Sequence, residues 1–161
     1  MYLFSNQETV LKRLCAEYEI GRILDIQRVE GGARNWNYEL LTDRKFFFLK
    51  IINRNLSEAN ENYFKIEDNL IFHLIENGIG TARVIFTRNG DSFFELESEY
   101  VRMYEYIFGR NYDAKKHGIE TVGGILSRYH DAVSRFSYPG IKDLKQDYIR
   151  WTSNNIKYFR D

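Results

Sequence analysis

Hydrophobic and polar positions alternate along this chain with two different periods, and the period changes mark its elements. Ser5-Asn6-Gln7-Glu8 has the form of a capping box, in which a hydroxyl and a carboxylate three residues on satisfy each other's orphan amides. Val10, Leu11, Leu14 and Tyr18 follow at helical spacing, and Gly21 closes that helix. Residues 23–29 alternate as a strand and Gly31-Gly32 interrupts it. Residues 38–42 and 46–52 form two apolar, β-prone runs around the turn Thr42-Asp43-Arg44-Lys45. A helix is predicted next, capped by Ser57, with Ala59, Tyr63, Ile66, Leu70 and Leu74 as its apolar stripe and Gly78 as the left-handed terminator. Three further strands are predicted over 82–87, 92–97 and 100–107, the first two separated by Arg88-Asn89-Gly90-Asp91, a strong hairpin signal. Beyond Gly109 the period becomes helical: Ile119, Val122, Leu126, Tyr129, Val133 and Phe136 are spaced 3, 4, 3, 4, 3. Pro139-Gly140 then punctuates, and Asp143 with Gln146 are placed to cap a last helical stretch carrying Leu144, Tyr148 and Trp151. The expected architecture is α+β: an antiparallel sheet of five to six strands with one inserted helix, followed by helices.

Composition changes this picture at a few points. Aromatic residues make up 16% of the 161 positions, so the chain has ample surface to bury and is not disordered. Lys and Arg number 23 against 23 Asp and Glu, which removes the basic excess of a nucleic-acid binder. One cysteine, Cys15, forbids an internal disulfide and fits a reducing compartment; on a helix it reads as an inert buried thiol. No apolar run approaches the roughly 18 residues that span a bilayer. The N-terminus lacks a basic leader followed by an apolar core. The expectation is a cytoplasmic protein without nucleic-acid or membrane partners.

Three segments carry candidate chemistry. The first is the stretch from Val29 through Gly31, Gly32, Ala33, Arg34, Asn35, Trp36 and Asn37 to Tyr38. A glycine pair between strands allows close backbone approach to a phosphate and a nest of amides for an anion, although a plain tight turn uses the same residues. The G-x-G-x-x-G spacing of a dinucleotide site is absent. The second is Lys50 within Phe46-Phe47-Phe48-Leu49-Lys50-Ile51. An ammonium among aromatic residues needs a reason, either an edge lysine reaching water or a lysine held over phosphates and oriented by a carboxylate. Glu67, one turn beyond Tyr63, is the candidate partner, and a plain surface glutamate is its ordinary reading. The third is the run from Met103 to Arg110, where sheet gives way to helix and extended backbone can pair with an adenine edge.

Taken in this order, these pieces resemble the aminoglycoside phosphotransferase and choline/homoserine kinase superfamily, whose fold is protein-kinase-like. The resemblance covers about residues 20 to 137. Gly31-Gly32-Ala33-Arg34-Asn35-Trp36-Asn37-Tyr38 matches the family's glycine loop, and Leu49-Lys50-Ile51 its lysine strand. Glu67 stands eleven residues before Gly78, the spacing of the family's lysine-pairing glutamate. Residues 104–109 match the hinge, which implies a carbonyl from Glu105 and an amide from Ile107 to adenine. Residues 124–130, ending in His130, resemble the helix that follows; His130 lies on the apolar stripe and reads as a core histidine. Thr81-Ala82 replaces the family's frequent proline-containing turn. The resemblance implies an ATP site built from Gly31, Gly32, Ala33, Arg34, Asn35, Lys50, Glu67, Glu105 and Ile107. It also implies a nucleotide-binding lobe over 1–104, a hinge over 105–112 and the start of an incomplete helical lobe over 113–161.

The family's general base lies in a loop written His-Gly-Asp, and a later aspartate holds the metal. His117-Gly118 is followed by Ile119, and neither His73 nor His130 begins such a loop. The expectation is therefore the ATP-binding part of a kinase for a small hydroxylated metabolite or an aminoglycoside, inactive alone, with Mg2+ bound only in the full-length parent. The apolar stripe of the helix over 119–136 is expected to be covered either by a homodimer, in which these helices pack on one another or are exchanged, or by residues 141–161 folding back over it. The rival reading is a naturally short, non-catalytic nucleotide-binding or interaction module, distinguished by whether the coding frame continues into His-Gly-Asp. An unrelated α+β domain is the third reading, separated from both by nucleotide titration.

Overall fold

The computed structural model describes residues 7–30, 35–53, 60–109, 118–139 and 141. The expectations placed on Ser5, Gly31 to Arg34, Ser57, Ala59 and the stretch after Lys142 lie outside these residues.

The order is α1 (Gln7–Glu17), β1 (Ile23–Val29), β2 (Asn35–Thr42), β3 (Phe46–Asn53), α2 (Glu61–Glu76), β4 (Val84–Ile85), β5 (Phe94–Leu96), β6 (Glu99–Glu105) and α3 (Ile119–Ser134). The six strands form one antiparallel sheet in the order β1-β2-β3-β6-β4, with β5 also on β6. This is the expected α+β arrangement with one helix inserted between β3 and β4.

The run Phe46-Phe47-Phe48-Leu49 is continuous rather than alternating because both faces of β3 are covered. Phe47, Leu49 and Ile51 join Val10 and Leu14 of α1 and Tyr18 just past its end, together with Tyr38, Leu40, Val101 and Met103, in the main core. On the other face, Ile52 and Tyr100 pack with Phe64 of α2. Phe48, Tyr104 and Val84 pack with Ile71 of the same helix. Side chains at even positions of β3, Lys50 among them, therefore share the α2 face.

Several local expectations are corrected. The helix α2 starts after Asn60, whose Oδ1 accepts from the Tyr63 amide at 3.0 Å. Its buried residues are Phe64, Ile66, Asp68, Ile71 and Leu74, so the face is rotated from the expected stripe and Tyr63 is exposed. Phe64 turns inward onto Phe93 and Tyr100, with ring centroids 4.8 and 5.1 Å away. The turn at Asn89-Gly90 exists, with Gly90 at φ 86°, but β4 and β5 do not pair with each other. Both instead lie along one edge of β6, β4 against Met103 and Tyr104 and β5 against Glu99 to Val101. Gly78 does terminate α2 at φ 72°, and the Ile79 amide reaches back to the Leu74 carbonyl at 2.9 Å.

Beyond the sheet, α3 touches α2 near its end, where a His73 ring nitrogen and the Ala132 carbonyl are 2.8 Å apart. Ala132 is its one buried residue, and Ile119, Ile125, Leu126 and Tyr129 stand exposed. His130 is exposed too, contrary to the core placement expected from the stripe, because no element covers that side of α3 among the described residues.

Candidate functional site

The α2 face of the sheet gathers the polar residues that the apolar strands would otherwise exclude. Register sets Asn37 of β2 opposite Lys50 of β3, and Lys50 opposite Arg102 of β6. Residues directly opposite in an antiparallel pair point to the same side with Cβ atoms about 5 Å apart, so Asn37, Lys50 and Arg102 make a polar row across three strands. Asn35, two positions from Asn37, lies on the same face opposite Ile52. Glu67 and Asp68 come down onto the row from α2.

The ion pair made by Glu67 comes from Arg102, a residue the sequence reading passed over. Arg102 Nη1 donates to Glu67 Oε2 and Nη2 to Asp68 Oδ1, while Nε donates to the Ser92 carbonyl at 3.4 Å. The guanidinium is wholly buried, lying 4.8 Å from the Phe64 ring centre and 5.3 Å from that of Tyr104. An uncompensated buried charge costs several kcal/mol, which is why two carboxylates are drawn to it and why Asp68 occupies the buried side of α2. Lys50 and Glu67 share the expected side of the sheet, but among the described residues no carboxylate lies within ion-pair distance of Lys50. The signal that could have found Arg102 is the one applied to Lys50: a cation set between Val101 and Met103 in an apolar strand.

Polar atoms without partners cluster on this face. Asn35 Oδ1, Asn37 Oδ1 and the Tyr104 hydroxyl are buried without a hydrogen bond. Each such group carries a desolvation cost that an incoming partner would relieve. A carboxamide turned by half a revolution offers NH2 donors in place of its oxygen. Burial pushes the Tyr104 phenol far above its usual range, and the Glu67 carboxylate adds to the shift.

At the C-terminal end of β6, the chain leaves the sheet. The Glu105 amide donates to the Arg83 carbonyl at 2.8 Å, and its carboxylate takes Lys45 Nζ at 3.5 Å and Arg83 Nε at 3.9 Å. Ile107 lies past the last pairing of β6, with its side chain exposed. Phe46, Tyr106 and Phe108 form an aromatic trio with centroids 4.9 to 5.7 Å apart, and Phe108 is 74% exposed. The structure thus brings Asn35 and Lys50 together on one face, with Glu105 and Ile107 at its far edge; Gly31, Gly32, Ala33 and Arg34 are outside the described residues. Among the described residues, no group of three His, Cys, Asp or Glu side chains is placed to hold a metal.

No family model matches the chain. In fold it is similar to an amicoumacin kinase bound to AMP-PNP and Ca2+, with a TM-score of 0.71, 21% identity and coverage of 84% of this chain and 42% of that one. A spectinomycin phosphotransferase bound to ADP aligns with a TM-score of 0.58 at 22% identity, covering 82% of this chain and 38% of that one. In sequence the chain is 28% identical over 131 residues to a homoserine kinase of Beijerinckia indica. The resemblance is to the aminoglycoside phosphotransferase and choline/homoserine kinase superfamily. The homoserine kinase match covers 81% of this chain and 40% of the relative. A second homoserine kinase, from Methylobacillus flagellatus, is 26% identical over 146 residues, 89% of this chain and 44% of the relative. The chain therefore spans less than half the length of these superfamily relatives. In fold, its antiparallel sheet with one inserted helix matches the kinase-like N-terminal lobe of the solved structures it resembles.

Proposed function

We propose that this chain is the nucleotide-binding part of a cytoplasmic small-molecule kinase that transfers the γ-phosphate of ATP to a hydroxyl of a small metabolite or aminoglycoside. In this reading residues 1–104 form the nucleotide lobe, 105–112 the hinge and 113–161 the start of a second, helical lobe.

The observation that carries the reading is Lys50 on the α2 face beside the unpartnered side-chain oxygens of Asn35 and Asn37, about half the length of β3 from the aromatic edge at Phe46. At about 3.3 Å per residue, Phe46 and Lys50 stand about 13 Å apart along β3, a span that suits an extended nucleoside triphosphate. The base would stack at Phe46, Tyr106 and Phe108 and meet the Glu105 carbonyl and Ile107 amide. The phosphates would lie toward Lys50, Asn35 and the loop of Gly31, Gly32, Ala33 and Arg34. Lys50 supplies positive charge to a polyphosphate, and the asparagine amides supply donors in a partly dehydrated setting where each counts for more. Phosphoryl transfer depends on positioning and on charge neutralisation by metal ions. We assign magnesium binding to the full-length parent. The 161 residues contain no His-Gly-Asp sequence, so we assign no general base and no turnover to this chain alone.

Calorimetry with ATP tests the reading. Binding on the order of hundreds of micromolar, little changed by magnesium and lost in Lys50→Ala with the fold intact, is the expected result. Absence of binding overturns the reading, and ADP production by the pure chain overturns its assignment as inactive alone.

A further inference from the structure

A cavity opens on the face of the sheet turned away from Lys50. Its volume is about 400 Å3, and Ile20, Phe47, Ile85 and Phe86 line it together with the exposed Lys45 and Arg88. That volume lies within the range of small-molecule sites. Phe47 belongs to the main core on the α1 side, and Ile85 pairs with Met103 of the same core. The thickness of the sheet therefore separates this cavity from the Lys50 row. Its floor is apolar, since Ile20 and Phe47 are buried and Ile85 packs against them. Phe86 is 40% exposed, and its ring stands parallel to that of Phe72 with centroids 6.1 Å apart, which steadies one wall. The opposite side is tied by hydrogen bonds to backbone. The Arg88 amide donates to the Glu17 carbonyl at 2.8 Å, and Arg44 Nη1 donates to the Glu19 carbonyl at 3.0 Å. The cavity is thus preformed in the ligand-free chain.

Charge selects the ligand. Glu19 also lines the cavity, so two cations against one carboxylate leave an excess of one positive charge. Lys45 Nζ stands 3.5 Å from Glu105 Oε1, and Arg88 Nη1 stands 3.4 Å from Glu19 Oε1, both longer than a well-made charged hydrogen bond. The four side chains are 41–73% exposed, and ion pairs in that setting are worth little. Either cation can turn to an incoming anion at small cost. A guanidinium fork and an ammonium both suit the oxygens of a carboxylate. A dianionic phosphate would set its second charge against Glu19 and Glu105, whereas a single charge matches the excess.

We propose that this cavity is a second ligand site, separate from the nucleotide site, for a small apolar monocarboxylate. The hydrocarbon body covers Ile20, Phe47 and Ile85 beside the Phe86 ring, and Lys45 and Arg88 hold the carboxylate. Removal of that apolar surface from water is the main source of affinity, and the two cations set the specificity. The proposal does not depend on nucleotide binding.

The test titrates phenylacetate into the full 161-residue chain and follows the backbone amides by NMR. Saturable shifts at Ile20, Phe47 and residues 85–88 are expected, with a dissociation constant on the order of one millimolar, as suits about ten heavy atoms. Phenylacetamide keeps the shape without the charge and is expected to bind about fivefold more weakly. Lys45→Gln and Arg88→Gln are each expected to weaken phenylacetate about two- to fivefold. Both side chains are exposed, so neither substitution disturbs the core, and an unchanged spectrum away from the cavity verifies the fold. Phenyl phosphate is expected to bind no more tightly than phenylacetate. Shifts that fail to saturate, or that saturate elsewhere on the chain, overturn the site. Equal affinity for phenylacetamide, or phenylacetate affinity unchanged in both variants, overturns the carboxylate assignment. Tighter binding of phenyl phosphate overturns the single-charge ligand.

Discussion

Tyr106 donates a 2.7 Å hydrogen bond to Glu39 Oε1, tying the segment beyond β6 back to β2 across the width of β3. The bond closes the aromatic edge of the proposed base site, since Tyr106 also touches Phe46 and Phe108. Tyr106→Phe keeps the ring and loses the tether. ATP affinity is expected to fall several-fold with little change in melting temperature, as read by calorimetry beside thermal unfolding. A large loss of stability with unchanged affinity would assign the bond to the fold instead.

Removing Arg102 leaves two carboxylates facing a cavity. Arg102→Met is expected to destabilise the chain by about 3–5 kcal/mol, the range for breaking a buried pair by deleting one partner. Urea unfolding measures it, and a loss under about 1 kcal/mol would show that Glu67 and Asp68 escape to water. Replacing all three by apolar residues of similar volume should recover much of the loss.

Gly21 takes φ 82°, and a Cβ there would run into Asp43 Oδ1, the atom that accepts from the Arg22 amide at 2.9 Å. Gly21→Ala is expected to cost on the order of 1–3 kcal/mol, combining left-handed strain with loss of that contact. Gly78→Ala also loses at a left-handed position, but no atom stands within 4 Å of its missing Cβ, so it should cost less.

Alkali should unfold this protein early. Burial pushes the phenols of Tyr18 and Tyr104 far above the usual range, and the bond to Glu39 raises that of Tyr106. Unfolded tyrosines release their protons near pH 10, whereas these folded ones do so higher. Their contribution is fully present below about pH 10 and is lost as pH rises through the folded values, because the unfolded chain then binds fewer protons. Tyrosinate absorbance and helical circular dichroism should change together. Tyrosinate appearing at full amplitude with the fold intact would contradict this.

The apolar stripe of α3, with Ile119 82% and Leu126 50% exposed, needs cover in the isolated chain. Concentration-dependent association, abolished by Leu126→Asp, is the expected result in light scattering. A monodisperse monomer with Leu126 in water would defeat it.

Much of this molecule is legible locally. The helical spacing of Val10, Leu14 and Tyr18, the continuous run Phe46 to Leu49, and Gly78 at the end of α2 each report interactions closed within a few residues or demanded by a single buried strand. So does the suspicion attached to Lys50. Tertiary structure decided matters of partnership. Asn89-Gly90 marks a turn correctly, yet β4 and β5 pair with β6 because a turn specifies a reversal and not which edge receives the returning strand. The buried face of α2 rotates to Phe64 and Asp68 because the cation it must meet, Arg102, comes from a strand 34 residues away. Glu67 was a candidate from spacing alone, but its partner depended on which of two opposed cations lay deeper in the protein. Depth is a property of the assembled sheet and helix, and no window of sequence carries it.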